Sequence, residues 1–187
     1  MGTLFLAATF FEARALLVQN DFIKLKRNLF KRGNDFLFIT GIGKSNVIKS
    51  LEIFEEMVPE KIVNFGIAGA VSPLEIGSSF IPQQVLSELM LQSNIILKEN
   101  VLITVELPVS DFSDFRREKR LSDFQDAIFA VDMEAYWISC YSEMFYDLHP
   151  VFLKIISDYG SIDFQSQFSN RKEILLKNLS ELLFCNI

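Results

Sequence analysis

The sequence predicts a single-domain α/β fold in which helices cover both faces of a mixed, largely parallel sheet, a three-layer αβα arrangement. Patterns typical of a strand, a turn and a helix alternate along most of the 187 residues. The apolar strand segments lack a strict alternation of polar and apolar residues, which indicates burial on both faces. No repeat, low-complexity tract or linker interrupts this pattern, so residues 1–187 are predicted to form one domain.

Short apolar runs bounded by turn residues predict the strands. These runs are Leu4–Ala8, Phe36–Ile39, Lys61–Phe65, Ser78–Ile81, Leu102–Val105, Ala127–Val131 and Val151–Ile156. Helical spacing of apolar residues predicts helices over Phe10–Val18, Lys44–Met57, Glu134–Phe145 and Arg171–Phe184. The polar segment Pro108–Asp126 has Phe112, Phe115 and Leu121 as its only expected anchors in the core.

Composition excludes several classes of function. The net charge is −6, and no long basic run is present, so a nucleic-acid partner is not expected. No apolar run is long enough to span a membrane, and Met1–Thr9 lacks the basic start and cleavage site of a signal peptide, so we expect a cytoplasmic protein. Cys140 and Cys185 have neither metal-site nor disulfide spacing, and no metal or redox cofactor is expected.

Polar or glycine-bearing segments follow several predicted strands, and this is where open α/β sheets bind ligands. The turn Gly41–Lys44 invites comparison with phosphate-binding loops, but a P-loop requires glycine at the position of Phe38. The dinucleotide pattern requires glycine at Asn46. A tight strand-to-helix turn that can shape a pocket is therefore the favoured interpretation.

Gly66-Ile67-Ala68-Gly69 follows the strand Lys61–Phe65 directly. Two glycines at this spacing let backbone approach a ligand and present amide groups to it. A close strand-to-helix connection would use the same residues, so this motif alone leaves the two interpretations equal.

Carboxylates follow two other apolar strands. Asp132 and Glu134 lie where a carboxylate either stabilises the first turn of a helix or accepts the hydrogen bonds of a ribose diol. Asp158 ends the strand Val151–Ile156, in which Lys154 is the one polar residue. Partial desolvation there favours the protonated form that a general acid needs, whereas the structural alternative is a cap for the following turn.

His149 is the single histidine, and no nucleophile elbow accompanies it. It is interpreted as a surface or structural residue, which disfavours Ser-His-Asp and Cys-His mechanisms. Cys140 lies in a predicted helix rich in Tyr and Trp, where burial is more common than reactivity.

Together these strand-end segments resemble the nucleoside phosphorylase/nucleosidase superfamily, and most closely methylthioadenosine/S-adenosylhomocysteine nucleosidase and futalosine hydrolase. The segments occur in family order over nearly the whole chain: Ala7–Ala13, Gly41–Lys44, Asn64–Gly69, Val131–Ala135 and Ile156–Asp158. The resemblance implies a nucleoside phosphorylase-like fold and a purine-type nucleoside as the small-molecule substrate. It also implies a homo-oligomer, in the simplest case a dimer.

The resemblance assigns a role to each site residue. Asp158 would protonate N7 of the base, and Glu12 would orient the attacking water. Glu134 would hold the ribose hydroxyls. The remaining substrate-binding residues would be Met133 and Asp132 beside the sugar, Ser157 supporting the acid, and Gly66, Ile67, Ala68 and Gly69 walling the pocket. Carboxylates stabilise positive charge on the sugar in such a transition state.

The sequence departs from the family pattern at several positions. Ile67 stands where nucleosidases often have a small polar residue, and Lys154 stands where arginine is frequent. The stretch between Pro82 and Leu102 is shorter than in the family. These departures leave the base and the 5′ substituent open. A phosphate-dependent phosphorylase is the alternative enzyme, and a non-catalytic ligand-binding relative is the alternative of a different class.

Overall fold

The computed structural model of the chain describes residues 2–18, 21–54, 58–92, 96–109, 111–124, 126–160 and 164–187. The strands are β1 (Thr3–Ala7), β2 (Ile23–Lys26), β3 (Leu29–Arg32), β4 (Asp35–Ile39), β5 (Lys61–Ala70), β6 (Ser79–Phe80), β7 (Gln84–Ser87), β8 (Asn100–Thr104), β9 (Ile128–Asp132) and β10 (Val151–Asp158). The helices are α1 (Phe10–Leu17), α2 (Lys44–Leu51), α3 (Phe112–Glu118), α4 (Ala135–Tyr146) and α5 (Phe164–Asn186). Among the described helices, none combines the length and apolarity needed to cross a membrane.

Within the described residues, ten strands form one mixed sheet in the order β2-β3-β4-β1-β5-β9-β8-β7, with β10 pairing β5 and β6 away from this path. Parallel pairing joins β1 to β4 and β5, β5 to β10, and β8 to β7 and β9. The α/β class and the mixed, largely parallel sheet predicted from the sequence are therefore confirmed.

Successive residues of the central strands face opposite helix layers. Phe5 of β1 packs with Leu16 of α1 and Leu179 of α5 on one face. Leu4 packs with Val47 of α2 and Ile138 of α4 on the other face. Both layers bury apolar side chains against the sheet, which accounts for the near-continuous apolar runs of the central strands.

The segment around α3 packs on the outer strands of the sheet. Phe112, Phe115 and Leu121 are buried there in a third apolar cluster with Val101 and Ile103 of β8. These three residues are the anchors predicted for this polar segment, and the prediction is confirmed.

Several element boundaries were predicted wrongly. The hairpin of β2 and β3, the strand β7 and the helix α3 were not predicted. The helix α2 ends at Leu51 and continues as a 3-10 turn over Glu52–Phe54, while the predicted end at Met57 lies outside the described residues. The last helix begins at Phe164 rather than at Arg171.

The most informative correction concerns Gly66–Gly69, which the sequence suggested as a turn after a shorter strand. These residues belong to β5 and pair with β10 in a register that runs to Gly69 opposite Asp158. The adjacent strand supplies hydrogen bonds along the whole segment, so the backbone stays extended despite the low strand propensity of glycine.

The long strand β5 changes neighbours along one of its edges. Its first half pairs with β1 up to Asn64, and its end pairs with β9 from Gly69. Between Asn64 and Gly69, β10 pairs with the opposite edge of β5. No described strand pairs with β5 there on the edge that β1 and β9 share. The carboxyl ends of β1 and β9 border this gap, which exposes backbone amides of β5 to side chains arriving from both.

Candidate active site

Glu12 reaches the gap in the sheet from the first turn of α1. Its Oε2 accepts hydrogen bonds from the Thr9 amide (2.8 Å) and the Thr9 hydroxyl (2.9 Å), which completes a capping box with the Thr9 side chain. Its Oε1 accepts the Ile67 amide of β5 at 3.0 Å. Burial raises the pKa of Glu12, against opposing effects of Lys154 and of these hydrogen bonds. The sequence therefore fixes a buried carboxylate beside β5.

Asp132 and Lys154 form an ion pair in the interior. Lys154 Nζ lies 2.9 Å from Asp132 Oδ2, and the two side chains are 2% and 1% exposed. Asp132 also accepts the Thr104 hydroxyl at 2.7 Å and the Ala135 amide at 3.1 Å. Burial pulls the pKa of Lys154 down, but the carboxylates of Asp132 and Glu134 outweigh burial and hold it above its ordinary value. Lys154 is therefore charged.

Glu134 lies at the N-terminus of α4, directly after β9. It is buried, and its Oε1 accepts the amide of Gly43 at 2.8 Å, at the start of α2. Burial and the neighbouring charge of Asp132 raise the pKa of Glu134 to about 7. The carboxyl group therefore changes its protonation state near neutral pH.

Ser157 and Asp158 end β10 on the far side of β5. The Ser157 hydroxyl lies 2.5 Å from Asp158 Oδ2 and 3.2 Å from the carbonyl oxygen of Ala68. The Gly160 amide donates to Asp158 Oδ1 at 2.8 Å. Both residues are buried, and the tight contact with Ser157 has the length of a strong oxygen–oxygen hydrogen bond.

The segment Gly66–Gly69 connects the two groups of carboxyls. Glu12 contacts it at Ile67, and Ser157 contacts it at Ala68, while Asp158 stands opposite Gly69. Four strand residues span roughly 10 Å, a length comparable to that of a nucleoside. The arrangement places the buried carboxyl group of Glu12 at one end of this span and the hydrogen-bonded carboxyl group of Asp158 at the other. Ile67 and Met133 are both half-buried.

Of the other sequence candidates, the Gly41–Lys44 turn borders the site through the amide of Gly43, whereas His149 lies on the surface. The Gly41–Lys44 turn leads into α2, as its structural interpretation predicted, and the side chain of His149 is 90% exposed. A surface cavity of 760 Å³ is lined by Leu97, Lys98, Asp126 and neighbouring residues. It lies at the amino ends of β8 and β9, the opposite ends from Thr104 and Asp132, so it is separate from the carboxyl groups.

Sequence reasoning assigned no role to several residues that build this site. Lys154 was noted as the one polar residue of an apolar strand, and that signal already indicated a buried charged partner. Thr104 and Gly43 bind the site carboxylates directly. The Phe112 ring lies so close to Gly69 and Gly160 that a Cβ atom on either would clash with it. The sequence identified Phe112 only as a core anchor.

No protein-family model matches the sequence, and no curated protein sequence matches it. Solved structures do. A 5′-methylthioadenosine/S-adenosylhomocysteine nucleosidase (MTAN) from Helicobacter pylori with butyl-thio-DADMe-Immucillin-A has a TM-score of 0.77 at 18% identity, with 99% of this chain and 97% of that chain covered. Futalosine hydrolase from Helicobacter pylori has a TM-score of 0.76 at 18% identity, covering 98% and 96%.

An Asp-to-Asn variant of MTAN from Chlamydia trachomatis, bound to MTA, has a TM-score of 0.73 at 21% identity and covers 99% and 96% of the two chains. These proteins are the ones that the strand-end motifs resemble. At this level of identity the comparison establishes architecture rather than activity. The chain therefore has the fold of the MTAN and futalosine hydrolase structures, a fold found in nucleosidases.

Proposed function

We propose that the protein is a nucleosidase that hydrolyses the N-glycosidic bond of a purine-type nucleoside, of the methylthioadenosine, adenosylhomocysteine or futalosine kind. The observation that carries the proposal is the set of four buried carboxyl groups of Glu12, Asp132, Glu134 and Asp158, of which Glu12 and Asp158 lie against Gly66–Gly69. The neighbours with the same fold include an MTAN with MTA bound and a futalosine hydrolase.

Asp158 is the proton donor in this mechanism. The Ser157 hydroxyl has one hydrogen and lies within reach of two acceptors, Ala68 O and Asp158 Oδ2. The Ser157 hydroxyl donates to Oδ2 and the Gly160 amide donates to Oδ1, and the mechanism requires the carboxyl group held in this way to carry a proton. Such a carboxylic acid can pass its proton to N7 of the base as the C1′–N9 bond breaks, so that the base leaves neutral.

Glu134 and Glu12 serve the sugar and the nucleophile. An ionised Glu134 accepts hydrogen bonds from the ribose hydroxyls. These bonds either replace the hydrogen bond from the Gly43 amide or form in addition to it. Glu12 keeps acceptor capacity on Oε1 beyond the Ile67 amide and orients a water molecule toward C1′. The oxygen of the water molecule forms the new bond to C1′, and the water gives a proton to Glu12. The negative charge of the carboxylates stabilises the cationic sugar in the transition state.

Water is favoured over phosphate as the nucleophile. Lys154 is the one lysine or arginine buried in the described part of the chain, and Asp132 holds it. The Ile67 amide already donates to Glu12, and Arg14 is exposed. A phosphate anion placed here would face carboxylates without a cationic partner, which costs several kcal/mol in a buried site. A phosphorylase remains the second candidate because of the shared fold.

The deciding experiment incubates the purified protein with methylthioadenosine, adenosylhomocysteine, futalosine and inosine, with and without phosphate, and follows release of the free base. Release that is independent of phosphate is expected. Release only with phosphate would make the protein a phosphorylase. If no nucleoside reacts and none raises the melting temperature of the protein, a non-catalytic role would be favoured.

We also infer, from the resemblance alone, that the protein is a cytoplasmic homodimer. Sedimentation of the purified protein measures the oligomeric state, and a monomer at micromolar concentration would contradict the dimer.

A further inference from the structure

The Lys154–Asp132 ion pair crosses the centre of the sheet. Lys154 belongs to β10 and Asp132 ends β9, and these strands lie on opposite edges of β5. In the register of β10 and β5, Lys154 stands opposite Gly66. The lysine side chain therefore passes over β5 at the level of Gly66 to reach Asp132.

The Glu12 side chain, which extends from α1, also lies over Gly66. A Cβ atom built on Gly66 would lie 2.8 Å from the Glu12 Cδ atom, so the carboxylate lies directly over Gly66. Adjacent strands are about 4.8 Å apart, which brings the carboxylate close to the lysine side chain. The charged groups that act on Lys154 come from three other elements: Asp132 of β9, Glu134 at the start of α4, and Glu12 of α1.

The buried ammonium group of Lys154 thus interacts electrostatically with the three carboxyl groups of Asp132, Glu134 and Glu12. Isolated buried carboxylates take up protons, because desolvation penalises the charged form. A protonated Glu12 would lose acceptor capacity and could not take a proton from water. The cation fixed by Asp132 offsets this tendency at a point where the chain offers no other buried lysine or arginine among its described residues.

We propose that Lys154, held in place by Asp132, is a positioning residue that favours the ionised form of Glu12 and keeps its side chain aimed at the gap beside β5. The inference rests on the proposed nucleosidase function for its consequence, since Glu12 is the group that orients water. Its physical core, the control of the Glu12 charge by Lys154, is independent of any activity.

The test compares Lys154→Met, Lys154→Arg, and Lys154→Met combined with Asp132→Asn. Lys177→Met, which removes an exposed lysine of α5, is the matched control. The readout is the pH titration of the side-chain carboxyl carbons of Glu12 and Glu134 by ¹³C NMR in the folded protein. It requires no turnover.

In Lys154→Met both glutamates should titrate at higher pH than in the wild type, because the opposing positive charge is gone. Lys154→Arg should restore the wild-type titration of both. In the double variant Glu134 should return toward its wild-type titration, since the repulsion by Asp132 is lost together with the attraction by Lys154. Glu12 should stay shifted toward higher pH, because Lys154 is the charge that most opposes the effect of burial on its pKa.

The double variant also guards against misfolding, since it removes both partners of the buried ion pair and leaves neither Lys154 nor Asp132 without the other. A Glu12 titration in that variant equal to the wild type would overturn the inference, whatever the stability of the protein.

The activity assay then separates the inference from the proposed function. If the wild type hydrolyses nucleosides, kcat measured at a pH below the titration midpoint of Glu12 should fall about tenfold in the double variant for each unit by which Glu12 is shifted, with KM little changed. If no nucleoside reacts with the wild type, the proposed function fails, and the NMR titrations still decide whether Lys154 controls Glu12.

Discussion

The carboxylate of Glu12 lies in the space that a side chain on Gly66 would need. This relationship joins the first turn of α1 to the centre of β5, elements that are distant in sequence. It explains why a residue of low strand propensity stands in the longest strand of the sheet. Gly66 has no side chain, so the Glu12 carboxylate can lie directly against the β5 backbone. The glycine is not there to form a turn.

Gly66→Ala is therefore expected to displace Glu12 and break its hydrogen bond from the Ile67 amide. Because the misplaced group orients the nucleophile, kcat should fall by roughly 100-fold, a loss typical of displacements near 1 Å. Base release by the purified variant measures this.

A double-mutant cycle on thermal stability provides the control. In a Glu12→Ala background the space over Gly66 is vacated, so Gly66→Ala should then cost much less stability than in the wild type. Equal costs in both backgrounds would show that Gly66 and Glu12 are not coupled.

Asp158→Asn should remove the transferable proton while preserving most of the contacts of the side chain. We expect kcat to fall by about 10²- to 10⁴-fold, the usual contribution of a general acid, with nucleoside binding retained. Stopped-flow turnover and calorimetric binding measure the two effects. Asp114→Asn, at an exposed aspartate that pairs with Arg117, is the matched control. Full activity of Asp158→Asn would require another acid.

The sequence predicted the carboxyl groups of the site better than their connections. Asp158 and Glu134 follow strongly apolar strands, and such strands are visible locally because their burial on both faces produces continuous apolar runs. The pairing of Lys154 with Asp132 depends on the register of β10, β5 and β9. That register is set by tertiary packing, and no local pattern encodes it.

The errors in the fold have similar causes. The strand β2 is exposed throughout, with lysines alternating with Ile23 and Leu25, so it buries no apolar face that would mark it as part of the core. Gly66–Gly69 was misread because glycine is typical of turns, whereas here the neighbouring strand keeps it extended. Both cases are tertiary effects that override local propensity.

Phe112 and Phe115 offer a matched pair for testing the wall of the proposed pocket. Both are buried in α3, but the Phe112 ring packs against Gly69 and Gly160, beside Asp158, and Phe115 belongs to the cluster under α3. Substitution of either by leucine should lower the free energy of unfolding by about 1 kcal/mol.

Only Phe112→Leu should also raise KM for nucleosides, by roughly tenfold, because it alone changes the surface next to the acid. Steady-state kinetics and chemical denaturation of both variants measure these effects. Equal KM values for the two variants would place the base away from Phe112.

Glu134 should carry a stability penalty that depends on pH. Its pKa is raised from 4.5 to about 7 in the folded protein, so the folded state binds a proton more tightly than the unfolded state between these values. The free energy of unfolding contributed by this group is therefore fully present below pH 4.5 and falls as the pH rises to about 7.

Glu134→Gln removes this titration and keeps an oxygen that can accept the Gly43 amide. The variant should match the wild type in stability near pH 4 and exceed it by up to about 3 kcal/mol at pH 8, at about 1.4 kcal/mol for each pKa unit. It should nevertheless lose activity, because a neutral amide cannot replace a carboxylate that accepts both hydroxyls of the ribose.

Denaturant unfolding from pH 4 to pH 8 tests this, with Glu143→Gln on the exposed side of the same helix as the control. A stability difference that does not grow with pH would mean that Glu134 titrates normally. An active, more stable Glu134→Gln protein would remove Glu134 from the site. The expected combination, higher stability at pH 8 with lost turnover, would show that the folded protein maintains a destabilising carboxylate because the reaction requires its charge.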